Sequence, residues 1–250
     1  MRTVLLEQPY QLKHIETEPP VRKPGEALAR VKRIGVCGTD LHAFRGRQPY
    51  FTYPRVLGHE LAVEVVEVDA GDGGIAAGDL CVVVPYLSCG TCIACRAGKT
   101  NCCTRMKVLG VHVDGGMTEM ISLPASNLIP AAGLSLEQVA LVENQSIGAH
   151  AVRRAAPLPG ETALVVGAGP IGLGVIQAAV ARGARVIVAD VSPDRLDFCS
   201  RHLGVDAAID ARGDTLAQLD RMTSGELAPV VFDATGNPGS MEKSLDFAAS

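Results

Sequence analysis

Five of the chain's eight cysteines fall within CGTCIACRAGKTNCC, residues 89 to 103. Cys89, Cys92 and Cys95 repeat at CxxC spacing and Cys103 follows eight residues later, the short loops that a tetrahedral zinc closed by four thiolates requires. Gly90 and Gly98 supply backbone freedom for the wrap, and Cys102 is a spare neighbour of the fourth ligand. A CxxCxxC run also opens ferredoxin-type iron–sulfur sites, but the Cys-Pro ending common there is missing. Arg96, Lys99 and Asn101 interleave the cysteines, which argues against a patch of buried free thiols. Four thiolates leave no open coordination position, so a metal here is expected to be structural, and the chemistry must lie elsewhere.

A second set of donors stands upstream: Cys37 in GVCGTDLH, and His59 with Glu60 in VLGHE. Sulfur, imidazole and carboxylate together are what a catalytic zinc uses when it keeps one position for water or substrate. Spacing alone leaves open a core cysteine after a strand and a solvated loop histidine.

Gly167, Gly169 and Gly172 form GxGxxG directly after the apolar run ALVV and at the start of a helical pattern. Backbone amides and the positive helix end there can receive a pyrophosphate, and Ile171 is expected to line the turn. Asp190, eighteen residues beyond Gly172, ends the next strand pattern. A carboxylate there accepts ribose hydroxyls and repels a 2′-phosphate, which favours NAD over NADP. Arg195 stands five residues on, placed to assist a phosphate if Asp190 turned away. Asp233 to Gly236, DATG, ends a fourth strand pattern either at the cofactor face or as an ordinary turn.

These residues need elements to carry them. ALARVKRIGV (27–36), LAVEVVEVDA (61–70) and DLCVVVPYL (79–87) read as strands bounded by turn residues, so the first half is expected to be β-rich. LSLEQVALVENQSIGAHAVRRAA is apolar at helical spacing and stops at Pro157. From ALVVGAG to APVVFDATG, strand and helix patterns alternate as βαβαβαβ, which predicts a parallel doubly wound sheet. Four strands and a last helix, MEKSLDFAAS, fall short of the two βαβαβ halves of a dinucleotide fold, so this sheet reads as truncated. The uncharged stretch Thr162–Ala181 is long enough to span a membrane. Gly167, Gly169, Pro170, Gly172 and Gly174 crowd its centre and break that reading into a strand and a helix.

At 250 residues, 47% hydrophobic and with charges of both signs, the chain is globular in composition, with room for one large or two ordinary domains. MRTVLLEQPYQLKHIE has no long apolar core, so no leader is expected and the cytoplasm is the expected compartment. In that reducing setting clustered cysteines hold metal rather than disulfides. A net charge of -4 with no concentrated Lys/Arg surplus argues against nucleic acid as a partner.

CGTDLH, VLGHE, the GD at 78 and 79, the four-cysteine lobe and GAGPIG occur in one order along the chain. In that order they resemble the zinc-dependent medium-chain dehydrogenase/reductase family, in its polyol and threonine dehydrogenase branch. CGTDLHAFRGRQPYFTYPRVLGHE, VLGVHVDGGMTEMISLP and AHAVRRAAPLPGE are most similar to sugar-acid 5-dehydrogenases acting on L-galactonate, L-gulonate or L-idonate. The resemblance implies a GroES-like catalytic domain over 1–150 and a Rossmann domain over 151–250. It also implies two zinc ions per chain, NAD, and a dimer or tetramer.

By the same resemblance Cys37 and His59 bind the catalytic zinc, with Glu60 a third ligand or exchanging with water. Glu143, in LVENQS, matches a carboxylate that ligates the zinc or holds its water, although the usual Glu-Pro is here Glu143-Asn144. Arg195 would lie alongside the adenine. Thr39 would start a proton relay that His42 passes to water. The implied reaction is oxidation of a secondary alcohol, at C5 of an aldonate, with hydride transfer to NAD. An aldonate carboxylate wants a cation, and Arg45 and Arg47 are the nearest in sequence, ahead of His112. Two rivals remain: a sorbitol- or threonine-type dehydrogenase, and a zinc-stabilised dinucleotide-binding protein without turnover. A zinc-ribbon nucleic-acid module is disfavoured by the acidic balance.

Overall fold

The computed structural model describes residues 1–249. They form two compact units, Met1–Glu143 and Asn144–Ser250.

The first unit opens with β1 (Arg2–Gln8), β2 (Gln11–Glu16), β3 (Glu26–Gly35), helix α1 (Gly38–Phe44), β4 (Arg55–Val56) and β5 (Glu60–Glu67). Then come β6 (Leu80–Val83), β7 (Tyr86–Leu87), α2 (Ile93–Arg96), β8 (Lys107–Val108), β9 (Met120–Pro124) and β10 (Leu128–Pro130), followed by the long helix α3 (Leu136–Ala155). An antiparallel sheet runs β10-β6-β5-β3-β9, with smaller sheets β2-β1-β4 and β7-β8. Alternation makes the core: Leu61, Val63 and Val65 of β5 project into one cluster with Ala27 and Ala29 of β3 and Cys81 and Val83 of β6. Each large apolar side chain among them, fully buried, contributes roughly 1.5–3 kcal/mol.

The run DLCVVVPYL, expected as one strand, is two. Pro85 has no N–H to give a ladder, so β6 ends at Val83 and β7 restarts at Tyr86 with a new partner, β8. The strand expected over 61–70 ends at Glu67.

The second unit alternates β11 (Thr162–Val166), α4 (Pro170–Ala181), β12 (Arg185–Asp190), α5 (Pro193–His202), β13 (Ala207–Asp210), α6 (Thr215–Met222), β14 (Val230–Asp233) and α7 (Pro238–Ser244). The strands are parallel in the order β13-β12-β11-β14, the expected doubly wound start. Both faces are buried, as a parallel sheet requires. Ala163, Val165, Val186 and Val188 pack with Ile176 and Ala179 of α4 and Cys199 of α5. The alternate residues Leu164, Val166, Ile187 and Ala189 pack with Leu219 of α6 and Phe247. The last helix begins earlier than the sequence predicts, at Pro238, and Leu245–Phe247 is a separate short 3-10 turn.

The uncharged stretch Thr162–Ala181 divides into β11 and α4, and among the described residues no helix is long and apolar enough to cross a membrane.

Candidate active site

Cys37 ends the extended chain after β3 and caps α1, while His59 and Glu60 stand where the chain enters β5. Antiparallel pairing sets Gly35 of β3 opposite Glu60 of β5, so the strand register carries both ends of the donor set to one place. One donor atom each from Cys37, His59 and Glu60 lies within 4.8 Å of the others. His59 and Glu60 are buried and Cys37 is half-buried.

Asp40, which spacing does not single out, organises this set. It is 3% exposed, its Oδ2 accepts the Cys37 N–H at 2.9 Å, and its Oδ1 lies 3.7 Å from His59 Nδ1. An acid three residues past a helix cap, reaching back to the cap's amide, is a signal the sequence does carry, in CGTD.

Does this set fit a zinc ion? Sulfur, imidazole and carboxylate match its preferences, and His59 turns Nδ1 toward Asp40, which leaves the other ring nitrogen as the donor. Burial pulls the His59 ring down, but its hydrogen bond to the Cys37 sulfur and the Asp40 carboxylate outweigh that and raise it to about 9. Burial pushes the Glu60 carboxyl up, against the opposing pull of His59. A sulfur, an imidazole and a carboxylate brought this close together, two of them buried, are a donor set that fits a divalent metal.

Glu143 stands outside this compact set. It lies buried on α3, and Tyr86 Oη donates to its Oε1 at 2.9 Å. Burial, then the Glu143 charge, hold the Tyr86 phenol well above its ordinary value, so it stays a donor. Thr39 and His42 both ride on α1, Thr39 half-buried and His42 exposed. Arg45, Arg47 and His112 lie toward solvent, and His112 Nδ1 is taken up by the Val108 N–H at 3.1 Å.

The four predicted lobe cysteines converge too, with all sulfurs within 4.8 Å of one another. Cys89 and Cys103 are tied by the Cys89 N–H, which donates to the Cys103 sulfur at 3.3 Å, and the Arg105 N–H adds a second bond to Cys103. Backbone amides of Thr91 and Cys92 lower Cys89 to about 5, and those of Cys95 and Thr104 lower Cys92 to about 7. Burial, then the neighbouring sulfurs, push Cys95 up to about 11. Amides aimed at thiolates crowded together are the surroundings of a bound cation, so this set also fits a metal. Cys102 is exposed beside it, outside the convergent four.

In the second unit a cavity of about 950 Å³ is lined by Gly167, Gly169, Asp190, Arg195, Thr235 and Asn237 among others. Asp190 Oδ2 accepts the Ala168 N–H at 2.6 Å and Oδ1 the Ser192 N–H at 2.7 Å. Arg195 Nη1 lies 3.7 Å from Asp190 Oδ2. Ile171, expected to line the turn, sits half-buried on α4 and is not among the residues of the cavity wall. In DATG it is Ala234 and Thr235 that face the cavity. Asp233 instead accepts Ser240 Oγ at 2.6 Å and Thr235 Oγ1 at 2.8 Å, bracing the loop.

Residues 23–133 match the alcohol dehydrogenase GroES-like domain family and residues 170–250 the zinc-binding dehydrogenase family. The chain is 45% identical over 246 residues to an L-galactonate-5-dehydrogenase of Escherichia coli (strain K12), covering 98% of this chain and 72% of that one. It is 34% identical over 254 residues to a sorbitol dehydrogenase of Bacillus subtilis (strain 168), covering 98% and 71%. A crystal structure of a short chain alcohol dehydrogenase (rspB) from E. coli CFT073, complexed with cofactor NADH, superposes with a TM-score of 0.90. That pair is 35% identical, over 99% of this chain and 73% of that one.

Proposed function

We propose, from the premise that the chain belongs to the zinc-dependent medium-chain alcohol dehydrogenase family, that it oxidises a secondary alcohol of a sugar acid with NAD as hydride acceptor. The relative at 45% identity supports an aldonate such as L-galactonate or L-gulonate, oxidised at C5. The observation that carries the reading is the convergence of Cys37, His59 and Glu60 within 4.8 Å.

In these sites zinc supplies a Lewis acid that lowers the pKa of an alcohol, and NAD supplies the acceptor for the hydride from the same carbon. Cys37, His59 and Glu60 would hold the catalytic ion, with Asp40 orienting His59 from behind. Cys89, Cys92, Cys95 and Cys103 would hold a second, structural one, zinc rather than an iron–sulfur cluster, as the family's name supports. Thr39 takes the alcohol's proton and His42, exposed on the same helix, delivers it to water. The amides opening α4 receive the pyrophosphate. Asp190 takes the ribose hydroxyls on its remaining lone pairs and excludes a 2′-phosphate, and Arg195 flanks the adenine. Arg45 and Arg47 pair with the aldonate carboxylate. The protein works as a cytoplasmic dimer or tetramer.

The test is NAD reduction by zinc-loaded protein across six-carbon aldonates and neutral polyols. Aldonates are expected to be preferred, and Arg45→Gln with Arg47→Gln to raise KM for them about 10–100-fold while polyols are untouched, the cost of one charge-assisted contact. Equal effects on both substrate classes overturn carboxylate recognition. Preference for a polyol returns the chain to the sorbitol-type reading.

A further inference from the structure

His59 is carried to its place by the residue before it. Gly58 has a φ of +96°, a left-handed conformation that a side chain would strain, and the segment that follows β8 is folded against it. The Gly115 N–H donates to the Val56 carbonyl, the Gly116 N–H to the Gly58 carbonyl and the Met117 N–H to the Leu57 carbonyl, each at 2.8 Å. Asp114 Oδ1 accepts the Val56 N–H at 3.1 Å, and Asp40 Oδ1 accepts the Gly58 N–H at 3.4 Å. Backbone meets backbone here because glycines face Gly58. A Cβ on Gly115 would stand 2.3 Å from the Gly58 carbonyl oxygen and 2.7 Å from that of Leu57, and one on Gly110 would stand 2.8 Å from the Gly58 nitrogen.

A residue whose N–H and carbonyl are both bonded, with other backbone packed on it, has little room to turn. His59 follows directly, buried, with Nδ1 toward Asp40, so the imidazole takes its position from the crossing at Gly58. We infer that Asp114–Met117 is a strap that positions His59 against Cys37 and Glu60, and that Gly115 is the residue on which its closeness depends. Metal–ligand distances hold to within about 0.2 Å. A methyl on residue 115 needs about an ångström more room than the crossing leaves, so the backbone at Gly58 would have to withdraw by more than that tolerance and take His59 with it. This inference rests on the metal reading of the Cys37, His59 and Glu60 set.

The test is cadmium NMR of cadmium-loaded protein, in which a four-thiolate site and a mixed sulfur, nitrogen and oxygen site give separate resonances. Gly115→Ala is expected to move the mixed-site resonance, to leave the four-thiolate one in place and to speed cadmium loss from the mixed site to a chelator by about tenfold, the effect of a ligand that has lost its support. Leu128→Ala empties a buried position of the same unit on β10, two strands from β5, and is expected to lower the melting temperature with both resonances unmoved. Should Gly115→Ala fail to fold, Asp114→Ala carries the test: it removes the acceptor of the Val56 N–H from an exposed position and is expected to move the mixed-site resonance by less. An unmoved mixed-site resonance in the strap variant that folds, or the same shift in Leu128→Ala, overturns the inference while leaving the metal reading intact. Absence of any mixed-site resonance in the wild type sinks the metal reading and this inference with it.

Discussion

Gly35 and Glu60 face each other across β3 and β5 so closely that a Cβ on residue 35 would stand 2.2 Å from Glu60 Oε2 and 2.8 Å from Glu60 Cβ. The missing side chain is the space into which Glu60 folds. Gly35→Ala is therefore expected to push Glu60 out of the donor set and to lower retention of the catalytic zinc by about tenfold or more, one lost ligand interaction. Competition with a chromophoric chelator measures it. The lobe zinc, bound by four separate thiolates, serves as the internal control.

Asp40→Asn tests the support behind His59. Asparagine keeps an acceptor for the Cys37 N–H but removes the charge 3.7 Å from His59 Nδ1. Loss of such an outer carboxylate costs about 10–100-fold in metal affinity. Unchanged affinity would mean that Asp40 serves only its backbone contacts, accepting the Cys37 and Gly58 N–H groups.

Two glycines of one turn are expected to fail differently. A Cβ on Gly172 would stand 1.8 Å from the Gly167 carbonyl oxygen, whereas one on Gly169 meets nothing nearer than Arg195 Nη1 at 3.9 Å. Gly172→Ala should destabilise the cofactor-free protein by about 2 kcal/mol or more, roughly 4–8 °C in melting for a chain of this size. Gly169→Ala should melt like wild type yet weaken NADH binding about tenfold, because its methyl enters the cavity wall that the pyrophosphate needs. Calorimetry with and without NADH separates the two.

Asp233 predicts an acid-side stability change. Burial pushes its carboxyl up, but hydrogen bonds from Ser240, Thr235 and Ser244 prevail and hold it below the ordinary carboxylate value. The unfolded chain then binds the proton first as pH falls. The group's contribution is complete above the unfolded value of about 4 and is lost as pH drops through the lower folded value. The melting gap between wild type and Asp233→Asn is accordingly widest at neutral pH and closes below about pH 4. A gap that does not narrow as pH falls below about 4 would show that the charge is not what supports the loop.

The parts of the site that the sequence makes legible are those built by neighbours. Cys89, Cys92 and Cys95 meet because two intervening residues permit little else, and the turn at 167–172 needs Gly167 for its positive φ and Gly172 because a Cβ there would collide with the Gly167 carbonyl. Asp40 lies within reach of the same reasoning, since its contact with Cys37 spans only three residues, although metal-ligand spacing passes over it. The split of DLCVVVPYL at Pro85 is equally local.

Residue types and short spacings by themselves determined the donor chemistry, the phosphate-type turn and the strand-helix order, because those properties are enforced within a few bonds of backbone. Only the tertiary structure decided that Gly35 makes room for Glu60, that Asp40 stands behind His59, and that Tyr86 donates to Glu143. Those contacts depend on strand register and on packing between segments tens of residues apart, where a displacement of one position would turn each side chain to the opposite face.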